Sequence, residues 1–399
     1  MAGSSSPGRD AGFLLRGEQL LPFPYAFAAN AASRLQRMVD GPAAGQLASV
    51  CRRTFWTAGL PAAAQPLVTM ARRWKVLLCG YYGMGNLGDE LLAAAAIQLL
   101  KNCGLKENEI AMLSGAPEES RKKHHIYPID RWARRDVVRA LRQSETLLLG
   151  GGGIFQDSSS FRSPWYYWSV VRLAKLCGCK TWAVAQSIGP LSRRGNRLLA
   201  QDAFRSCEIV SVRDLHSQAF LNGHCLLSDD LVLTLPFAEE RRPSEYFLIN
   251  FRRYNGDLEY KAATAYAHSP FAGKLKTVGV AMDRSDLQLM REIQERGVCG
   301  VDELIYPDAE HLSKLFSGAA GAFGMRLHFG VLSLKAGVPC TLIPYDPKVS
   351  DFAERWGGTL WNGGDVPFPR PWQKRAGLEA ACAAIRSDFA LCFERTMRS

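Results

Sequence analysis

The sequence predicts an α/β protein built from two Rossmann-like domains facing a cleft. Three observations carry that prediction. Short apolar strands alternate with helical stretches, the pattern of a parallel sheet covered on both faces. The alternation stops at one charged, proline-marked break and then restarts. Polar, glycine-bearing turns recur just after the strands, where open parallel sheets hold their ligands. With 399 residues the chain is long enough for two ordinary domains.

Residues 1–69 stand apart. They are rich in Ala, Pro and Gly, hold six Arg, no Lys and three acids, and show no sustained helix or strand period. This leader is expected to be poorly ordered. It reads either as an upstream over-extension with Met70 as the true start, or as a targeting leader. The first domain spans 72–238, with strands expected at Trp74–Gly80, Ile110–Leu113, Thr146–Leu149, Thr181–Ala185 and Ile209–Val212. Helical patterns run over Asp89–Lys101, Arg131–Gln143, Trp165–Leu176 and Arg197–Phe204. Glu239-Glu240-Arg241-Arg242-Pro243-Ser244 is the linker candidate. The second domain, 244–380, repeats the alternation with strands at Tyr246–Phe251, Thr277–Ala281, Gly300–Ile305, Ala320–Gly324 and Cys340–Ile343. Leu378–Met397 reads as a helix, so residues 381–399 close the chain helically. No tandem repeat of fixed period is present.

Hydrophobic residues make up 47% of the chain and the formal net charge is +11. That balance suits anionic partners. No dense Lys/Arg run is interleaved with aromatics, so no nucleic-acid partner is expected. The eleven Cys are scattered without a CxxC pair, the usage of reduced, buried thiols in a cytoplasmic protein. Cys177-Gly178-Cys179 lacks the second ligand pair of a zinc site. The longest uncharged stretch, Thr54 to Ala71, carries Pro61, Pro66 and Gln65 and falls short of a membrane span. The apolar segment Leu20–Ala32 follows Arg16 and Glu18 and is broken by Pro22 and Pro24, unlike a signal peptide.

Four strand-end segments of the first domain carry polar chemistry. Gly83, Gly85 and Gly88 match GxGxxG ahead of a helix. The second strand ends Met112-Leu113-Ser114 without the acid that a dinucleotide ribose needs, which argues against a dinucleotide. A glycine turn with Asn86, aiming N–H groups at a polar or anionic ligand, remains. Asp89 and Glu90, in the first helical turn, serve either the helix dipole or a ligand. Gly150-Gly151-Gly152-Gly153 permits close backbone approach, and Gln156 and Asp157 follow as candidates for binding a sugar or phosphate. Ala185-Gln186-Ser187-Ile188-Gly189-Pro190 forms another such turn. Arg213, beside Asp214, either pairs with that neighbour or reaches across the cleft to an anion.

The second domain offers a different set. Arg326 and His328 are followed, after an apolar run, by Lys348 in Tyr345-Asp346-Pro347-Lys348. Charges at the ends of buried elements are costly unless something answers them. Arg326 brings a planar fork for a carboxylate or phosphate. Lys348 adds a point charge, and His328 is the best-placed group in the chain for proton transfer near neutral pH.

Taken in order, Gly85-Asn86-Leu87-Gly88-Asp89-Glu90, the Gly150–Asp157 loop, Ser187-Ile188-Gly189-Pro190-Leu191, Ser211-Val212-Arg213-Asp214, Met325-Arg326-Leu327-His328 and Tyr345-Asp346-Pro347-Lys348-Val349 resemble the polysaccharide pyruvyl transferase family. The likeness is strongest to its CsaB-like bacterial cell-wall branch and covers roughly residues 74–350. Two departures stand out: Ala185-Gln186-Ser187-Ile188-Gly189 replaces a glycine-richer GQGIGP turn, and the leader has no counterpart.

The resemblance implies a fold similar to GT-B glycosyltransferases, with phosphoenolpyruvate as donor. The product would be a pyruvate ketal bridging two hydroxyls of a sugar. In the CsaB-like branch the acceptor is an N-acetylmannosamine-type, lipid-diphosphate-linked intermediate. Such an enzyme would work in the cytoplasm, with peripheral contact at the inner face of the membrane left open. On this reading His328 is the general acid at the methylene carbon. Arg326, Lys348 and Arg213 hold the two anionic groups. Gly85, Asn86, Gly152, Gly153 and Gln156 line the substrate side, and either Asp89 or Asp157 assists the acceptor hydroxyl. The scheme needs neither cofactor nor metal. The rival on the same architecture is a nucleotide-sugar glycosyltransferase, whose acidic pair for the nucleotide ribose is not evident in the second domain.

Overall fold

The computed structural model describes residues 73–158, 160–237, 246–254, 256–308 and 311–398. The leader and the linker candidate at 239–244 lie outside the described residues. The first domain runs β1 (Trp74–Cys79), α1 (Leu87–Asn102), β2 (Ile110–Ser114), α2 (Pro117–His124), β3 (Tyr127–Asp130), α3 (Arg134–Arg142), β4 (Ser144–Leu149), β5 (Gly152–Phe155), α4 (Ser163–Leu176), β6 (Lys180–Ile188), α5 (Arg194–Arg205), β7 (Val210–Val212), α6 (Leu215–Phe220) and β8 (Leu226–Leu227). The sheet order is β3-β2-β1-β4-β6-β7-β8, with β5 added beside β6, and every pairing is parallel.

The second domain runs β9 (Tyr246–Asn250), α7 (Leu258–Ala267), β10 (Lys276–Val280), α8 (Arg284–Glu295), β11 (Glu303–Ile305), α9 (Leu312–Ser317), β12 (Gly321–Gly324), α10 (Leu327–Ala336), β13 (Cys340–Leu342), α11 (Pro347–Trp356), β14 (Thr359–Leu360) and α12 (Leu378–Arg398). Its sheet, also parallel, has the order β11-β10-β9-β12-β13-β14. Among the described residues no helix is long and apolar enough to cross a membrane.

The apolar runs form strands because both sheet faces are covered. In β1, Val76 and Leu78 enter one core while Leu77 and Cys79 enter the other, the two-residue alternation of a strand. The first of these cores continues into the second domain and takes in Phe389 of α12. That helix crosses back to the first domain. Phe389 packs edge-on against Trp182 at 5.5 Å, and the Lys180 ammonium donates to the Met397 carbonyl at 3.4 Å.

Strands β3, β5, β8 and β14 and helix α2 were not expected, and one expected helix starts later. Strand β3 holds Pro128, which hides it from sequence patterning but is tolerated at a sheet edge. Helix α3 begins at Arg134, not Arg131. Arg131 is buried instead at the strand end, donating to the Gly80 carbonyl at 3.0 Å and the Tyr167 hydroxyl at 3.2 Å.

The strap following β8 joins the domains. Asp229 accepts two bonds at 2.5 Å from Arg355, the penultimate residue of α11. The carbonyls of Leu233 and Leu235 accept at 2.7 and 2.6 Å from Lys335, the penultimate residue of α10. Burial pushes the Lys335 ammonium down to about 8. The two helices that carry His328 and Lys348 in their first turn are thus tied to one strap at their last turn.

Candidate active site

Helix α1 opens the site. The Asn86 side chain caps it, accepting from the N–H groups of Gly88 at 3.0 Å and Asp89 at 3.3 Å. Asn86 therefore shapes the turn by capping. Contacts across the domains hold the same turn: Leu87 N–H donates to the Met282 carbonyl at 2.8 Å, and the Tyr306 hydroxyl to the Gly85 carbonyl at 2.6 Å. Glu90 proves structural, accepting from Gly83 N–H at 2.7 Å with its other oxygen 3.1 Å from His124. Among the described residues the Asp89 side chain has no such engagement. It is half-buried, and burial pushes its carboxyl up to about 6; His328, Arg213 and Arg326 oppose the rise and Glu90 adds to it.

His328 arrives from the other domain, in the first turn of α10. Its imidazole lies directly against Gly88. A Cβ added there would stand 2.1 Å from Nδ1, so only glycine admits the ring. The other nitrogen, Nε2, is 3.4 Å from Oδ2 of Asp230. The His328 side chain is 13% exposed and that of Asp230 3%. Asp230 also receives Nη1 of Arg213 and accepts from Val232 N–H at 2.9 Å. Burial works against its ionisation, yet Arg213, His328 and the Val232 N–H hold its carboxyl well below the usual range.

Arg213 thus does not pair with its neighbour Asp214, which caps α6 by accepting from Ser217 N–H at 2.7 Å. The guanidinium Nε of Arg213 donates to the Ser187 hydroxyl at 2.8 Å. Ser187 stands where the resembling turn has glycine, so this departure adds a polar anchor for Arg213. Ala185, at the other departure, keeps a left-handed φ of 46°. Gln186 braces the glycine loop, donating to the carbonyls of Leu149 at 3.1 Å and Gly150 at 2.6 Å.

The four-glycine loop divides its work. Gly150 makes room for the buried Tyr82, whose hydroxyl would meet a Cβ at 1.9 Å. Gly152, at φ +122°, and Gly153 face the site: a Cβ on the first would lie 3.2 Å from Asp89 Oδ1, and on the second 3.7 Å from the Lys348 ammonium. Gln156 and Asp157 turn elsewhere. Gln156 accepts from Ser158 N–H at 2.8 Å. Asp157 accepts from the N–H groups of Ser192 and Arg193, at 2.9 and 3.1 Å, and from the Asn196 amide at 3.0 Å. Burial opposes ionisation there too, but those donors lower its pKa. Asp157 is a staple for the start of α5, which takes it out of consideration as the acceptor's proton partner.

Arg326 and Lys348 are already answered. Arg326 donates from Nε to Asp286 at 2.9 Å, from Nη2 to Asp286 at 2.6 Å, and from Nη2 to Asp283. Lys348 lies 3.0 Å from Asp346, the cap of α11. The structure brings Asp89, Gly152, Gly153, Arg213, His328 and Lys348 together. Asp230, Asp283 and Asp286 were missed. Asp230 carried a legible signal, since Ser228-Asp229-Asp230 closes a strand as the other motifs do, but β8 has only two residues. Asp283 and Asp286 lie past β10 at the N-cap and in the first turn of α8, where capping and the helix dipole explain acids by themselves.

Residues 86–347 match the family model for polysaccharide pyruvyl transferase. The chain belongs to the polysaccharide pyruvyl transferase family. A search of curated proteins finds no match. Among solved structures the chain is similar to the UDP-GlcNAc 2-epimerase of Neisseria meningitidis bound to UDP-GlcNAc, at TM-score 0.50 and 11% identity, covering 82% of this chain and 100% of that one. It is also similar to S. aureus MnaA with UDP, at TM-score 0.50 and 10% identity, covering 80% and 91%. These likenesses establish a GT-B fold of two Rossmann-like domains.

Proposed function

We propose that this family member transfers pyruvate from phosphoenolpyruvate to two hydroxyls of a cell-wall or polysaccharide sugar, forming a cyclic ketal and releasing phosphate. The observation that carries this reading is the seat of His328, whose imidazole from one domain is pressed against Gly88 of the other, with Asp230 3.4 Å from its Nε2 and the Asp89 carboxyl within its electrostatic reach. His328 protonates the methylene carbon of the donor, making C2 electrophilic. One sugar hydroxyl attacks C2, the C–O bond to phosphate breaks, and the second hydroxyl closes the ketal. The two hydroxyl protons are accounted for by the new methyl group and the released phosphate. Asp89, with its carboxyl raised to about 6, is poised to take a hydroxyl proton.

Asp230 stands 3.4 Å from the imidazole Nε2 and is itself paired with Arg213. Arg213, Arg326 and Lys348 each approach the donor with a carboxylate already beside them. The acceptor class that fits the family likeness is an N-acetylmannosamine-type sugar on a lipid diphosphate. The net charge of +11 supports cytoplasmic action at the inner membrane face.

The test is phosphate release from phosphoenolpyruvate across a panel of N-acetylhexosamine acceptors, with mass detection of the ketal. His328→Gln should fold normally and lose at least about 10²-fold in turnover. Near-normal turnover in that variant would remove His328 from the mechanism. Release with no ketal, or stabilisation by UDP-sugars but not by phosphoenolpyruvate, would favour the glycosyltransferase reading.

A further inference from the structure

The strand ends of the second domain hold one more cation, and its bonding differs from the rest. Arg252 leaves the C-terminal end of β9, the strand between β10 and β12. Its N–H donates to the Met325 sulfur at 3.4 Å, placing it beside Arg326. Its guanidinium lies over the Tyr345 ring at 5.0 Å, and Nη1 donates to the Tyr345 hydroxyl at 3.1 Å. Tyr345 is three residues ahead of Lys348 and is held on another side by Tyr254, edge-on at 5.3 Å. Adjacent strand ends therefore deliver Arg252, then Arg326 and His328, then Lys348.

A charge comparison separates these groups. Arg326 faces two carboxylates, Arg213 faces Asp230, and Lys348 faces Asp346. Each of those cations is neutralised or more than neutralised where it stands. Among the described residues Arg252 meets only a neutral hydroxyl, and its Nε is buried without a hydrogen-bond partner. A buried, unpaired N–H is costly and is satisfied by an incoming acceptor. Five fixed donors of which few are engaged match a tetrahedral oxyanion. Its neighbour Arg253 contrasts with it: half-exposed and paired with Glu292 at 2.8 Å.

We infer that Arg252 binds the phosphate group of the donor, with Tyr345 as the platform that aims its guanidinium at the Arg326–Lys348 cluster. This rests on the donor reading above. Inorganic phosphate, the released product, shares the chemistry and would occupy the same subsite more weakly.

The experiment titrates phosphoenolpyruvate and inorganic phosphate calorimetrically into the full chain and into Arg252→Gln, Arg252→Lys and the control Arg253→Gln. Arg252→Gln should weaken phosphoenolpyruvate binding about tenfold or more and abolish phosphate binding. Arg252→Lys should fall between it and the parent, and Arg253→Gln should match the parent. Parent-like phosphoenolpyruvate affinity in a cooperatively melting Arg252→Gln overturns the assignment. Should that variant not fold, parent-like affinity in Arg252→Lys does the same, because a lysine lacks the fork. If the parent binds phosphate but not phosphoenolpyruvate, and Arg252→Gln loses the phosphate, the subsite stands and the donor reading falls.

Discussion

Replacing Gly88 with alanine adds a single methyl group where the two domains touch. On local grounds the change is benign. Gly88 lies in the first turn of α1 without a left-handed φ, and alanine is favoured over glycine in a helix by about 1 kcal/mol. The new Cβ would nevertheless stand 2.1 Å from Nδ1, 2.7 Å from Cγ and 2.9 Å from Cε1 of His328. Ordinary contact needs roughly 3.5 Å, so the imidazole must retreat by about 1.4 Å or leave its rotamer. A misplacement near 1 Å at a reacting group can remove about 10²-fold of rate. Gly88→Ala should thus keep a cooperative melt, with overpacking of about 1–3 kcal/mol offset in part by the helix gain. It should lower phosphoenolpyruvate-dependent phosphate release by roughly 10²-fold. Combined with His328→Gln it should add little, because both changes act on one group. Parent-like phosphate release by Gly88→Ala would refute the view that this glycine exists to seat the imidazole.

Two further outcomes concern carboxylates of opposite character. The Asp89 carboxyl titrates near 6 in the fold against 3.8 in the free side chain, so the native state holds that proton more tightly. Its contribution to stability is fully present below about pH 4 and is lost as pH rises through 6. Asp89→Asn should therefore melt higher than the parent at pH 7.5 and lose the difference at pH 4, while turnover falls and the acid limb of its pH profile near 6 disappears; a profile unchanged in Asp89→Asn would remove it as proton acceptor. Asp157→Ala should cost about 1–3 kcal/mol of stability, measured by denaturant unfolding, by stripping the start of α5 of its acceptor, with phosphate release per folded molecule largely retained.

The alternation of apolar runs with helical stretches was enough to announce two parallel sheets, because strands buried on both faces must be apolar throughout. The same property singled out the candidate site: a polar turn just after such a strand has few structural reasons to exist, so Asp89, Arg213, His328 and Lys348 were legible as candidates. What each of them faces was not legible. Asp230 meets Arg213 across 17 positions of sequence and His328 across 98, and no local pattern encodes either distance. Asp157 read as a ligand group, and Glu90 as either a ligand or a helix-dipole group, yet tertiary contacts had already claimed their oxygens. Local sequence determined which groups are present at the strand ends. Only tertiary packing, within each domain as well as between them, decided which of them remain free to act, because a buried charge takes the nearest partner in space, whatever its place in the chain.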